Sequence, residues 1–151
     1  MLKNIDPRLT PELLYVMAAM GHGDELAIVD ANFPALSTAR RTCHGRAVPV
    51  AAASMPEVLE AVLSLLPLDD FVDVPARCMA ADGAPGDALP EVQQEAQSVI
   101  DAVAGRHWPI GAVERFAFYE AARNCYAVVL TGEPRFFGNV IIKKGAIPPP
   151  S

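Results

Sequence analysis

Apolar positions along this chain alternate between helical spacing and short continuous runs. After Thr10-Pro11-Glu12, Leu13, Leu14, Met17 and Ala18 mark one helical face. Thr10 can cap that helix, Pro11 suits its first position and Glu12 favours its dipole. Met20-Gly21 is predicted to end it, with the glycine supplying φ > 0. The polar turn Gly21-His22-Gly23-Asp24 follows. Leu26 to Val29 then forms an apolar run before Asp30, the pattern of a buried strand with a carboxylate at its carboxyl end. Asn32-Phe33-Pro34 breaks the chain. Arg46 to Val50 predicts a weaker strand, and Pro49 predicts an edge position for it.

Ser54-Met55-Pro56-Glu57 has the spacing of a capping box. The helix it opens carries Val58, Leu59, Val62, Leu65 and Leu66 and stops at Pro67. A short strand is predicted over Arg77 to Ala81 and a loop over Asp82 to Pro90. Pro90-Glu91 opens a third helix. Val92, Ala96, Val99, Ile100 and Val103 mark its buried face, and Gly105 its end. Phe116 to Arg123 predicts a fourth helix. Ala127 to Thr131 and Asn139 to Ile142 read as strands joined by the loop Gly132 to Gly138. Alternating helices and strands predict a single α/β domain over residues 1–146, with no internal repeat or linker. The proline-rich end, Ile147 to Ser151, reads as an extended tail.

Composition narrows the function classes. The 151 residues are 52% apolar and 20% charged, which suits one globular domain with a real core. The net charge of -6 argues against nucleic acid and anionic membranes as partners. No apolar run reaches the roughly 18 residues of a membrane span, and Met1 to Pro7 does not read as a signal peptide. Cys43, Cys78 and Cys125 are widely spaced and read as buried small hydrophobes in a reducing compartment. Together these features predict a cytoplasmic protein.

Familiar catalytic motifs are missing: no P-loop, G-x-G-x-x-G, G-x-S-x-G or H-E-x-x-H occurs. His22, His44 and His107 are too dispersed to predict a metal site. His22 stands between two glycines, where the backbone can present it into a cleft. It is either a proton-transfer group or a structural histidine in a turn. Asp30 either faces a ligand crevice at a strand's carboxyl end or simply forms the following turn. Arg115-Phe116-Ala117-Phe118-Tyr119-Glu120 combines aromatic faces with hydrogen-bonding groups, as sugar sites do. Alternatively, its phenylalanines pack in the core while its charges are solvated. Asn139 offers donors and an acceptor to a hydroxyl-rich ligand, or is a turn asparagine. Lys143-Lys144 reads as a surface strand end, and Met79 as a core methionine.

These stretches, taken in order, resemble the fucose mutarotase / ribose pyranase family. The resemblance is carried by Thr10-Pro11-Glu12-Leu13-Leu14, Met20-Gly21-His22-Gly23-Asp24-Glu25 and Asp30-Ala31-Asn32-Phe33-Pro34-Ala35. It continues through Leu66-Pro67-Leu68-Asp69, Arg115 to Glu120, Thr131-Gly132-Glu133 and Gly138 to Gly145. The Arg-Phe-x-Phe-Tyr-Glu run is closer to the fucose branch. The resemblance implies the family's RbsD-like fold, a mixed sheet with flanking helices, assembled as a homo-oligomeric ring, often a decamer, with sugar sites near subunit contacts. It implies an isomerase for a free monosaccharide, without cofactor or metal. His22 would be the proton donor. Asp30, Asp69, Met79, Arg115, Tyr119, Phe137 and Asn139 would line the sugar site. Phe137 stands where the family usually has tyrosine. The alternatives are pyranose/furanose interchange on D-ribose, or sugar binding without catalysis. Mutarotation needs one group to protonate the ring oxygen and another to accept the anomeric hydroxyl proton, which general acid–base side chains supply.

Overall fold

A computed structural model describes residues 1–81 and 88–151. Its elements run α1 (Pro11–Ala19), β1 (Glu25–Val29), α2 (Ala35–Ala39), β2 (Val48–Val50), α3 (Met55–Leu63), β3 (Ala76–Met79), α4 (Glu91–Ala104), β4 (Gly111–Val113), α5 (Arg115–Arg123), β5 (Ala127–Thr131) and β6 (Val140–Lys143). The strands form one six-stranded sheet in the order β2-β5-β1-β6-β3-β4. β2, β5 and β1 are mutually parallel, β3 and β4 are parallel, and β6 runs antiparallel to both β1 and β3. Five strands therefore point one way and β6 the other. Their common carboxyl edge is where an α/β sheet places its ligand crevice.

Side-chain alternation along the strands explains the layers. Leu26 and Ile28 of β1 face a core shared with α1, α3 and α4, whereas Ala27 and Val29 face one shared with α2 and α5. A sheet covered on both sides needs continuous apolar strands, hence the run Leu26–Val29. Pro49 lies in edge strand β2, as the sequence predicts. The α3 capping box forms: Ser54 accepts from Glu57 N while Glu57 accepts from Ser54 N. Thr10 caps α1, and Gly105 ends α4 at φ 69°.

Several expectations are corrected. Met20 ends α1 in extended conformation, and the left-handed glycine of the next turn is Gly23 (φ 86°), not Gly21. α3 stops at Leu63, leaving Leu65 on the surface, and Val103 of α4 is also exposed, while the polar Gln93 joins that helix's buried face. β3 begins at Ala76 and ends at Met79. α2 and β4 are additional elements. Cys43 is exposed, while Cys78 and Cys125 are buried, and burial pushes the Cys78 thiol up to about 12. Part of the predicted loop Asp82 to Pro90 lies outside the described residues. Among the described residues, no helix is long and apolar enough to cross a membrane.

Candidate sugar site

The carboxyl edge of the sheet builds a pocket of about 280 Å³ around Asp30, Met79, Arg115, Tyr119, Phe137 and Asn139, with Asn32, Phe33 and Phe136 completing it. Ligand pockets commonly run about 300–1,000 Å³, so this one suits a small ligand. Asp30 follows β1 and Asn139 precedes the antiparallel β6, so pairing of these neighbours brings the two side chains together. Asp30 N donates to Asn139 Oδ1 (2.8 Å), and Asn139 Nδ2 donates to Asp30 Oδ2 (3.0 Å). Asn32 N donates to Asp30 Oδ1 (3.0 Å). Burial raises the Asp30 carboxyl above its ordinary range, partly offset by these bonds and by the Gly138 and Phe33 N–H groups. Asn139 is itself buried and its amide is engaged with Asp30, so it orients the carboxylate more than it meets ligand directly.

Arg115 and Tyr119 arrive through β4. Glu114 ends that strand's connection and caps α5, accepting from Phe116 N (2.9 Å) and Ala117 N (3.0 Å). Arg115 and Tyr119 are one helical turn apart, so they share a face, and Arg115 Nε donates to Tyr119 Oη (3.2 Å). Phe118 points the other way into the core, while Phe116 is exposed. Phe33 stacks beside Tyr119 with ring centroids 5.4 Å apart.

The wall opposite is the loop between β5 and β6. Phe137 adopts φ 61°, the left-handed region that non-glycine residues seldom enter. Gln93 of α4 holds it there: its Nε2 donates to Phe137 O (3.0 Å) and to Met79 O (2.7 Å), joining two pocket-lining segments. Glu133 anchors the base of the loop. Fully buried, it accepts from Met55 N and pairs with Arg135, which also pairs with Glu95. Burial would raise Glu133, but the Arg135 bonds hold it below the usual carboxylate range. Arg135 is itself partly exposed, but its removal leaves the buried Glu133 charge without its main partner, so Arg135→Met is expected to cost about 1–3 kcal/mol, read from the urea-unfolding midpoint.

His22 and Asp69 pair with each other but stand elsewhere. His22 Nε2 lies 3.0 Å from Asp69 Oδ1, and its ring meets exposed Phe71 at 5.1 Å between centroids. Burial raises Asp69, but the bonds from His22 and Phe71 N prevail and bring the carboxyl below its ordinary value. The turn carrying His22 precedes β1, whereas Asp30 follows it. The five residues of β1, at about 3.3 Å each, put on the order of 16 Å of strand between them. One chain thus brings six of the eight expected site residues together and holds the other two at the opposite sheet edge. Pairing with a carboxylate does not by itself single out His22, because His44 meets Glu12 and His107 meets Asp101. Asn32 and Phe33 lay within the Asp-Ala-Asn-Phe-Pro stretch, which could have marked them. Gln93 carried no signal beyond being polar on a helix's apolar face. Among the described residues, no group of three or more histidine, cysteine or acidic side chains is placed to hold a metal ion.

Residues 3–147 match the RbsD / FucU transport protein family. The chain is 46% identical over 151 residues to the fucose mutarotase of Danio rerio, covering 98% of this chain and 95% of that one. It is 44% identical over 149 residues to the L-fucose mutarotase of Actinobacillus pleuropneumoniae, covering 98% and 99%. The structure of the Streptococcus pneumoniae fucose mutarotase in complex with L-fucose superposes with a TM-score of 0.85 at 34% identity, covering 97% of this chain and 99% of that one.

Proposed function

The chain belongs to the RbsD / FucU family, and we propose that it is an isomerase that interconverts the α and β anomers of a free monosaccharide, L-fucose foremost, by acid–base catalysed ring opening. The observation that carries this reading is the pocket itself: an oriented carboxylate, an arginine and a phenol facing an apolar wall of Met79 and Phe137. That mixture suits a sugar with one deoxygenated carbon. Asp30, Arg115 and Tyr119 hold the hydroxyls, and Asn139 fixes Asp30. A proton delivered to the ring oxygen, with removal of the anomeric hydroxyl proton, opens the hemiacetal. Rotation of the aldehyde and reclosure give the other anomer, with no net change in protons.

His22 is the acid–base residue of this proposal, oriented by Asp69. Its distance from Asp30 within one chain favours a site shared between two copies, each lending its His22–Asp69 pair to a neighbour's pocket. Such sharing implies a closed homo-oligomer in which every pocket is completed. The family's usual decamer is the form we propose, with residues 1–146 as the sugar domain, 147–151 as a tail and the cytoplasm as its place of work. Light scattering on the purified protein reads the subunit count.

Exchange NMR on L-fucose at anomeric equilibrium, with D-ribose alongside, tests the activity. Faster α/β exchange on fucose supports the mutarotase. Acceleration of pyranose/furanose exchange on ribose alone transfers the assignment to pyranase chemistry. Phe137→Tyr would restore the hydroxyl usual in the family. One hydrogen bond made in the transition state is worth about 1 kcal/mol, so kcat/KM on fucose should rise roughly fivefold.

A further inference from the structure

The sequence suggested that Lys144 ends the last strand on the surface. Instead it is half-buried, and its ammonium reaches across to another element: Nζ donates to Met17 O (2.8 Å) and Met20 O (2.5 Å). These carbonyls close α1, whose last turn carries no basic residue of its own. Helix ends leave such carbonyls without partners and favour a cation there. Lys144 supplies both from a distant part of the chain.

The backbone of the same residue holds the turn that follows. Gly23 N donates to Lys144 O (2.8 Å), and Lys144 N donates to Asp24 O (2.9 Å). His22 thus sits in a turn tied to Lys144 from both sides, by side chain through Met20 and by backbone through Gly23 and Asp24. The Asp69 loop is tied to Lys144 and its two chain neighbours. Asp69 N donates to Lys143 O (3.0 Å), Gly145 N donates to Pro67 O (2.8 Å), and Leu68 forms a bridge with Lys144. Contact is close enough that a Cβ on Gly145 would lie 2.5 Å from Leu68 O. The segment Lys143-Lys144-Gly145 is therefore the common support on which His22 and Asp69 meet.

We infer that Lys144 is a positioning residue for the His22–Asp69 pair, its ammonium fixing the end of α1 so that the imidazole is held against the carboxylate. This rests on the catalytic reading of His22 given above. Lys144 lies at the opposite sheet edge from Asp30, so its loss should misplace the acid–base group while leaving sugar binding by that chain's pocket intact.

Lys144→Met in the full-length assembly is the test. We expect kcat on L-fucose to fall about 10- to 100-fold, the scale on which a misplaced catalytic group loses rate, with KM within twofold of the parent. Lys144→Arg keeps a cation able to donate to both carbonyls and should recover most of the loss. The ¹⁵N signal of the His22 imidazole, assigned by its disappearance in His22→Gln, should shift in Lys144→Met and return in Lys144→Arg. Should the methionine variant not fold, Lys144→Gln is measured in the same way. An unchanged kcat, a loss carried by KM, or a loss that arginine does not recover would overturn the inference. The imidazole signal keeps the two ideas separable. If the parent protein does not accelerate exchange on any sugar, the catalytic reading fails; a His22 signal that ignores Lys144 then also removes the positioning role, and one that follows it retains that role.

Discussion

His22→Gln is expected to slow anomeric exchange on L-fucose by about 10²–10⁴-fold, the contribution typical of a positioned general acid–base group. Glutamine preserves length and can still hydrogen-bond Asp69, so the turn Gly21–Asp24 should keep its shape. What it cannot do is gain and lose a proton near neutral pH. Asp69, nearly buried and held ionised by its bonds, engages Nε2 of the imidazole, so Nδ1 is the nitrogen that the proposed chemistry uses. Because the groups proposed to hold the hydroxyls lie at the other end of β1, KM should change little. The loss should therefore appear in kcat and kcat/KM together, the sign of an interaction made only in the transition state. Exchange NMR over a range of fucose concentrations reads both. A variant retaining full kcat would remove His22 from the chemistry.

Asp30→Asn should separate activity from stability. Asp30 is 4% exposed, and burial raises its carboxyl, so its folded pKa lies above the unfolded value near 3.9. Where the folded pKa is higher, the native state binds the proton more tightly. The stability this gives is present below the unfolded pKa and is lost as pH rises through the folded one. At neutral pH the ionised carboxylate is thus a cost to the fold, one retained at a functional site. Asparagine removes that charge and keeps an acceptor for Asn32 N, although Asn139 Nδ2 loses its carboxylate partner. The melting temperature at pH 7 should stay level or rise, and the parent should gain stability relative to the variant on acidification. Activity should move the other way, falling on the order of 10²-fold, because the charged acceptor proposed for a sugar hydroxyl is lost. A large fall in melting temperature with activity retained would contradict both halves.

Much of the fold was legible because its strands are covered on two faces. Leu26–Val29 and Ala127–Leu130 are apolar throughout, and caps such as Ser54 with Glu57 signal helix starts locally. β4 was not legible: Gly111–Val113 has no continuous apolar run and is held as an edge by pairing with Arg77–Met79. α2 is five residues long and carries no side-chain cap, too little pattern to mark a helix. Val103 misled because it continues the apolar spacing of α4 yet stands exposed in the helix's last turn. In the pocket, Asp30, Arg115, Tyr119 and Asn139 were visible as polar groups beside apolar runs or aromatics. The separation of His22 from Asp30 was implied by the predicted strand Leu26 to Val29 between them, but the pairing of His22 with Asp69, 47 residues away, was not, because no local residue encodes it. Gln93 and Lys144 escaped for a related reason. Their partners are backbone carbonyls of distant segments, and carbonyls leave no trace in side-chain identity.

A site made by two copies, as proposed, can be rebuilt by mixing two variants that are defective in different halves of it. His22→Gln and Asp30→Asn subunits, each expected to keep about 1% of the parent rate or less alone, are unfolded together, refolded at equal ratio and assayed for L-fucose exchange. With random assembly in a closed ring, about one quarter of the pockets pair an intact His22 with an intact neighbouring Asp30. The account predicts recovery to about that fraction of the parent rate. A mixture as inactive as its components would contradict it, because a site contained in one chain gains nothing from a neighbour.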